Sequence, residues 1–239
     1  MVISVIIPCY HEQNTILELL KKVNESSVNQ CTKEIIVIDD CSKDGTRELL
    51  EQNPSLYTKL ILHEKNQGKG GAVITGMQNS TGDIIIIQDA DLEYDPFEYK
   101  KLIGPILEGK ADVVYGSRFV GGDTHRVLYF WHLIANKILT LLSNIVTNLN
   151  LTDMETCYKV FTKKALKNLS LKEKRFGFDP EITIQLARQK GIRFYEVGIS
   201  YFGRTFEEGK KITWKDGLTV LKVLILQGII FRKKIKFQL

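Results

Sequence analysis

The chain predicts an α/β fold built on a doubly wound, mostly parallel sheet with flanking helices, and two observations carry that expectation. Short β-branched runs, apolar on both faces, recur at Ile3–Ile7, Ile35–Ile38, Leu60–Leu62, Ile84–Ile87 and Val113–Tyr115, as strands covered by helices on both sides require. Helical patterns lie between them, so strand alternates with helix and right-handed crossovers follow. Ile16, Leu17, Leu19, Leu20 and Val23 make the first apolar helix face, and Thr15 with Glu18 predicts a capping box at its start. Further helices are expected over 45–51, 69–79 and 96–108. In the second half, a long helical pattern over 127–147 places Leu128, Trp131, Ile134, Ala135, Ile138, Leu141, Leu142 and Ile145 at three-to-four spacing. A strand near 158–162, a helix after Pro180, a strand over 194–200 and a last amphipathic helix from Trp214 complete the pattern.

At 239 residues the chain suits one α/β domain, and 44% apolar with 26% charged residues exclude a disordered polymer. The net charge of +5 is modest, but Arg232, Lys233, Lys234 and Lys236 cluster behind an apolar stretch. That arrangement suits an anionic surface, and equally a solvated tail. Cys9, Cys31, Cys41 and Cys157 form no CxxC pair and have no histidine at ligand spacing, so they read as reduced cytosolic thiols without zinc. The start of the chain reads as a strand rather than a signal peptide. The apolar run 218–231 is interrupted by Lys222 and Gln227 and falls short of the roughly 20 residues of a spanning helix.

Ligands on doubly wound sheets bind beyond the carboxyl ends of the strands, and four such ends are unusually polar. They read Pro8-Cys9-Tyr10-His11-Glu12, then 39–46 from Asp39-Asp40 to Gly45-Thr46, then Asn66-Gln67-Gly68-Lys69-Gly70-Gly71, then Asp89-Ala90-Asp91-Leu92-Glu93. Asp89-x-Asp91 is the strongest signal. Two carboxylates at a strand end repel each other and gain no burial. A Mg²⁺ or Mn²⁺ ion resolves that conflict, taking one or two carboxylates and filling its other positions with phosphate oxygens and water. Such an ion on a nucleotide-sugar diphosphate neutralises the charge that grows as the glycosidic bond breaks. The plainer reading is that both aspartates cap a turn. Asp39-Asp40 also resembles the acidic pair of phosphoacceptor receiver domains, a non-catalytic alternative that leaves the chain from Arg118 onward unexplained. A turn-capping role suits Asp40 and Asp44, at the turn and the helix that follows, with Asp39 facing a ligand. The glycines around Lys69 suit either a phosphate cradle or a tight strand-to-helix turn, and they lack P-loop spacing.

Taken together, Pro-x-Tyr-x-Glu (8–12), Val-x-Asp-Asp-x-Ser-x-Asp-Gly-Thr (37–46), Asn-x-Gly-Lys-Gly (66–70), Asp-Ala-Asp-Leu (89–92), Gly-Ser-Arg (116–118) and Leu-Thr-Asp-Met-Glu-Thr-Cys-Tyr-Lys (151–159) resemble the family 2 glycosyltransferases of GT-A fold. Within them the resemblance is to the dolichol-phosphate mannosyltransferase-like branch and its bacterial polyprenyl-phosphate relatives. It implies one domain over 1–239, with a nucleotide-sugar half over 1–120 and an acceptor half over 121–239. It implies that Pro8, Tyr10, Glu12, Val37 and Asp39 hold the base and ribose. It implies that Asp89, Ala90 and Asp91 serve the diphosphate and metal, with Glu93 a third position near the metal. Arg118 matches an arginine facing the phosphates or acceptor, and Arg204 and Lys210 match basic residues of a loop closing over the donor. Residue 93 is often Gln or Ser in the mannosyltransferases, and the loop Thr-Phe-Glu-Glu-Gly (205–209) also departs from their pattern, so GDP-mannose and UDP-glucose both remain open as donors.

The implied reaction is an inverting transfer to a polyprenyl phosphate. That acceptor is already an anion and needs positioning more than deprotonation, which Arg118 and Arg126 can supply through charge-assisted bonds. A saccharide or other hydroxyl acceptor is the alternative. It would need a base, for which Asp153 and Glu181 are candidates, Asp153 also suiting a turn-capping role. Tyr129, Phe130 and Trp131 after Arg126, and Leu218, Leu221, Leu224, Ile225 and Ile229, suit two helices lying in a membrane interface, or alternatively packing on the sheet or pairing subunits. The expectation is a cytoplasmic enzyme, peripheral at the inner membrane face, with no nucleic-acid partner.

Overall fold

The structure, a computed structural model, describes residues 1–28, 31–121, 124–127, 129–205, 207, 209 and 214–232. The elements run β1 (Val2–Cys9), α1 (Ile16–Glu25), β2 (Thr32–Asp39), α2 (Thr46–Gln52), β3 (Lys59–Leu62), α3 (Gly68–Gln78), β4 (Ile84–Ile87), α4 (Tyr99–Leu107), β5 (Val113–Ser117), α5 (Phe130–Thr147), β6 (Lys159–Thr162), α6 (Lys163–Leu166), α7 (Phe178–Ala187), β7 (Phe194–Gly198) and α8 (Trp214–Arg232). The strands form one sheet in the order β3-β2-β1-β4-β6-β5-β7. β1 to β4 are mutually parallel, β7 runs parallel to β5, and β6 alone is antiparallel to both its neighbours. The sheet is therefore mostly parallel, and its central strands are apolar on both faces because helices cover both. All four residues of β4 are buried.

β6 departs from the alternating pattern. The chain returns from α5 to the edge where β4 and β5 end, so the next strand must run back down between them. Residues 151–158 consequently lie on the same edge as the polar tips of β1 to β4. β1 sits centrally, with β2 on one side and β4 on the other, and the connections diverge there, which opens a crevice beyond their carboxyl ends.

Local chemistry explains the helix starts, with two differences from expectation. Thr15 makes no capping bond within α1. Its hydroxyl donates instead to Glu12 Oε2 at 2.9 Å and to the Ala90 carbonyl at 2.8 Å, tying the tip of β1 to that of β4. Asp44 caps α2 as expected, accepting from the Thr46 amide at 3.1 Å and its hydroxyl at 2.6 Å. Asp40 caps the start of α3 rather than the turn and helix after β2: its oxygens accept from the Gln67 and Gly68 amides at 2.8 and 2.7 Å. His63 Nδ1 lies 2.7 Å from the same carboxylate. None of the four cysteines forms a disulfide.

α5 begins at Phe130 and exposes Trp131, Ile138, Leu141 and Ile145, while α8 exposes Leu218, Ile225 and Leu226. The two helices pack together, close enough that a Cβ on Gly228 would lie 2.7 Å from Val146 Cγ2. No described helix is long and apolar enough to cross a membrane. Lys233, Lys234 and Lys236, and the side chain of Arg232, lie outside the described residues.

α3 crosses β1 and β2 at Gly76, where a Cβ would lie 2.4 Å from Ile6 Cγ2 and 2.9 Å from Ile38 Cδ1. Both belong to buried strand residues that cannot swing aside. Gly76→Ala is expected to lower stability by about 1–2 kcal/mol in urea denaturation, overpacking outweighing the helix-propensity gain of about 1 kcal/mol.

Candidate active site

The four polar tips meet at the crevice. Three of the four described non-glycine residues with positive φ stand there: His11 (52°) after β1, Cys41 (67°) after β2 and Leu92 (63°) after β4. The fourth, Asn148, ends α5. Left-handed backbone at non-glycine residues costs of order 1–3 kcal/mol each, and such cost gathers where side chains must be aimed.

Asp89 faces Lys69 from the first turn of α3, with Nζ 2.7 Å from Oδ1 and 2.8 Å from Oδ2. Asp91 faces Arg204, whose Nη2 donates to Oδ2 at 3.0 Å. The same guanidinium donates to both oxygens of Glu12 at 3.1 Å, and the Arg204 amide donates to Glu93 Oε1 at 2.7 Å. One arginine from the segment after β7 thus bridges the tips of β1 and β4. Burial, then repulsion from Asp89 and Glu93, pushes the Asp91 carboxyl up to about 7, against the pull of Arg204. The aspartate pair therefore sits under electrostatic stress that the protein's own cations relieve only in part. Tyr10 is partly exposed at the β1 tip, its ring stacked on His11 with centroids 3.9 Å apart. Pro8 and Ala90 frame the crevice, and the Ala90 carbonyl is the acceptor for Thr15.

At the end of β5, Arg118 is gripped by Asp153, with Nε and Nη2 donating to the two carboxylate oxygens at 2.7 Å and the Arg118 amide adding a third bond at 3.1 Å. Its guanidinium lies over the rings of Phe119 and Tyr201, at 5.6 and 5.1 Å. Arg126 donates from its amide to the Tyr201 carbonyl and from Nη1 to that of Gly203, so the strap over 201–204 is held from both sides.

Five expected roles change. Asp153 is wholly buried and spent on Arg118, so it positions that arginine and cannot serve as a base. Glu181 accepts from the Lys172 and Glu173 amides at 2.8 Å and from Gln227 at 3.2 Å. It anchors a loop to α8 and is likewise unavailable as a base. Glu93 fastens the strap with both oxygens, taking the Tyr201 hydroxyl at 2.8 Å besides the Arg204 amide, so its contacts here are to the strap rather than to Asp89 and Asp91. Val37 is a core residue of β2 with zero exposure, so its side chain presents no surface to a base. Asp39 is also fully buried and paired with Arg47 through Nε at 2.9 Å and Nη2 at 2.7 Å, which orients it inward. Lys210 lies outside the described residues.

Sequence reasoning missed Arg47, Tyr201 and Glu155. Arg47 carries no motif, Tyr201 is recognisable only once the strap is seen to fold back, and Glu155 was legible only as one letter within 151–159.

Among the described residues no group of three or more His, Cys, Asp or Glu is arranged to hold a metal ion. The donor set fits the lesser demand of a Mg²⁺- or Mn²⁺-type ion, two carboxylates completed by phosphate oxygens. A cavity of about 420 Å³ bounded by Lys65, Gln67, Lys172, Lys174 and Arg175 lies beside the start of α3.

An open α/β sheet with an acidic pair and long basic side chains at its switch point is the arrangement of the GT-A fold. The chain belongs to glycosyl transferase family 2, whose family profile matches residues 4–170. It is 30% identical over 216 residues to a dolichol-phosphate mannosyltransferase of Pyrococcus furiosus, covering 89% of this chain and 61% of that protein. The chain thus spans about three fifths of that relative's length. It is also 30% identical to a UDP-N-acetylglucosamine–dolichyl-phosphate N-acetylglucosaminyltransferase of Methanococcus voltae, covering 82% and 84% of the two chains. In fold it matches the glucosyl-3-phosphoglycerate synthase of Mycobacterium tuberculosis, solved with Mn²⁺ and UDP, with TM-score 0.71 at 18% identity over 99% of this chain and 80% of that one.

The two classes of aspartate predict opposite stability effects. Asp153→Ala leaves Arg118 buried without its partner and is expected to cost about 3–5 kcal/mol. Asp91→Ala relieves repulsion and leaves Arg204 with Glu12, so its thermal midpoint is expected to stay at or above that of the parent chain, as is common at functional sites. Parallel calorimetric melts check both.

Proposed function

We propose that this enzyme moves a hexose from a nucleotide-sugar of GDP-mannose or UDP-glucose type to a polyprenyl or dolichyl phosphate, with inversion, at the inner face of a membrane. The observation that carries the reading is the paired Asp89 and Asp91, each compensated by a long basic side chain that can turn away. Asp89 and Asp91 would hold the Mg²⁺ or Mn²⁺ that neutralises the departing diphosphate. Lys69 and Arg204, now on those carboxylates, are within side-chain reach of phosphate oxygens in the same cleft. Pro8, Tyr10 and Glu12 border the space for base and ribose, and the basic pair Arg118 and Arg126 faces the acceptor.

Two observations favour a phosphate acceptor over a hydroxyl. A hydroxyl needs a base, and the carboxylates of Asp153 and Glu181 are both engaged. Arg118 is fixed by Asp153 and two rings, a preorganised cation suited to an incoming anion. The names of the dolichol-phosphate relatives point the same way. Phe130 and Trp131, 62% and 76% exposed, with the apolar faces of α5 and α8, suit an interfacial seat beside such a lipid.

Radiolabelled GDP-mannose and UDP-glucose, offered with a polyprenyl phosphate and Mn²⁺, test the reading. Label is expected in the organic phase, lost on chelation, and reduced by at least about a thousandfold in Asp91→Ala, the scale of losing a principal transition-state electrostatic contact. Label confined to a water-soluble glycan would refute the lipid acceptor. Titration calorimetry of Arg204→Met adds a readout independent of turnover. Removing a competing cation is expected to tighten Mn²⁺ binding in the absence of nucleotide by about tenfold, or about 1.4 kcal/mol, while weakening the binding of UDP or GDP.

A further inference from the structure

Glu155 stands between Asp153, which grips Arg118, and Cys157, whose buried thiol lies 4.0 Å from the Ile87 carbonyl at the end of β4 and is pushed up by burial and the nearby Asp89. It therefore lies along the sheet edge between the proposed acceptor arginine and the proposed diphosphate site. Part of the residue reaches solvent, yet its Oε1 is buried and has no hydrogen-bond partner.

The charges around it do not balance with Glu155 ionised. Three carboxylates, Asp153 beside it, Asp179 at the start of α7 and Glu155 itself, share two cations, Arg118 at the end of β5 and Lys159 at the start of β6. Arg118 is committed to Asp153. Lys159 is committed to Asp179 at 2.5 Å and to the Thr156 carbonyl, with the Tyr115 ring 5.0 Å away. Lys69, nearby on α3, is committed to Asp89. An ionised Glu155 would be a buried charge without a counter-ion, so the carboxyl keeps its proton. In agreement, burial first and Asp179 second push it up to about 8, with Lys159 and Arg118 pulling the other way.

We infer that Glu155 is an acceptor-binding residue whose carboxyl O–H donates a hydrogen bond to a phosphate oxygen of the acceptor, alongside Arg118. This rests on the lipid-phosphate reading above. No covalent step passes through it. The acceptor phosphate oxygen forms the bond to the sugar carbon, the bond from that carbon to the diphosphate oxygen breaks and carries its electron pair away, and Glu155 retains its proton. A base for a hydroxyl acceptor would have to be ionised instead, so the two roles have opposite pH dependence. A protonated donor is present below the carboxyl's pKa and is lost as pH rises through it.

The test uses the full chain with Mn²⁺, labelled nucleotide-sugar and a polyprenyl phosphate in detergent, following kcat/KM from neutral to alkaline pH. For the parent chain, kcat/KM is expected to fall above about pH 8. Glu155→Leu is expected to raise KM for the lipid phosphate by about tenfold or more, the scale of a hydrogen bond to a charged group, and to leave KM for the nucleotide-sugar within about twofold. Glu155→Gln, which keeps an N–H donor and cannot ionise, is expected to recover most of that loss and to lack the alkaline fall. Should Glu155→Leu not fold, the Gln profile decides alone. An alkaline fall that persists in the Gln variant, or a Gln variant as damaged as the Leu one, overturns the inference. Failure of the parent reading is separately visible, as absence of organic-phase label from the unmutated chain.

Discussion

Everything at the working edge of this molecule depends on balancing an excess of negative charge. Parallel strands deliver Glu12, Asp39, Asp89, Asp91 and Glu93 to one side of the sheet, and the 151–158 segment adds Asp153 and Glu155. Left alone, these groups would repel one another in a partly dry crevice. The chain answers with cations brought from elsewhere: Arg47 from α2, Lys69 from α3, Arg118 from the end of β5, Lys159 from β6 and Arg204 from beyond β7. The long-range closure of the fold over its site, from residue 204 back to residue 12, is in large part this electrostatic requirement. Such pairs contribute little net stability once desolvation is counted. Their effect is to fix which segment lies over which.

The pairs fall into two kinds, and the difference separates scaffold from site. Asp39 with Arg47, Asp153 with Arg118 and Asp179 with Lys159 each join a nearly or fully buried carboxylate to a committed cation, Arg118 gripping both oxygens. Breaking any of them strands a buried charge. Asp89 and Asp91 are held by the tips of long side chains that approach from other elements, and Asp91 shares its arginine with Glu12. The second kind can be exchanged for a ligand at little cost, because the cation simply changes anion. A diphosphate entering the crevice would offer Lys69 and Arg204 new partners and free the two aspartates together.

This distinction also explains what could be read from the chain unaided. The fold was legible because it depends on local periodicity: short, all β-branched runs such as Ile84–Ile87 suit buried strands, and the helix patterns between them favour parallel crossovers. The four polar tips were legible for the same reason, since a parallel sheet puts successive strand ends on one edge. The direction of β6 was not legible, because it follows from where α5 leaves the chain. Pairings failed most often. Asp153 and Glu181 look like bases in a linear sequence, and only packing reveals that Arg118 and two loop amides had already claimed them. Val37 and Asp39 were expected at the base and ribose because the family resemblance implies it, yet both are fully buried, Asp39 on Arg47. The Asp40 cap was displaced for a related reason: β2 ends beside α3, so the nearest orphan amides belong to Gln67 and Gly68 rather than to α2.

The antiparallel strand has the largest functional consequence. Had β6 joined the sheet in parallel, residues 151–158 would have lain on the far edge, and the second half of the chain would have had no access to the crevice. Running β6 backward places Asp153, Glu155 and Cys157 directly against the tips of β4 and β5, so the groups proposed for donor and acceptor share one edge at side-chain distances. Cys157 lies at the end of β4, near Asp89, while Asp153 holds Arg118 on the other side, which leaves between them the carboxyl inferred above to meet the acceptor phosphate. A single reversed strand thus gives the crevice two sides, and under the proposed function these would set an attacking anion opposite a leaving diphosphate, the arrangement an inverting displacement needs.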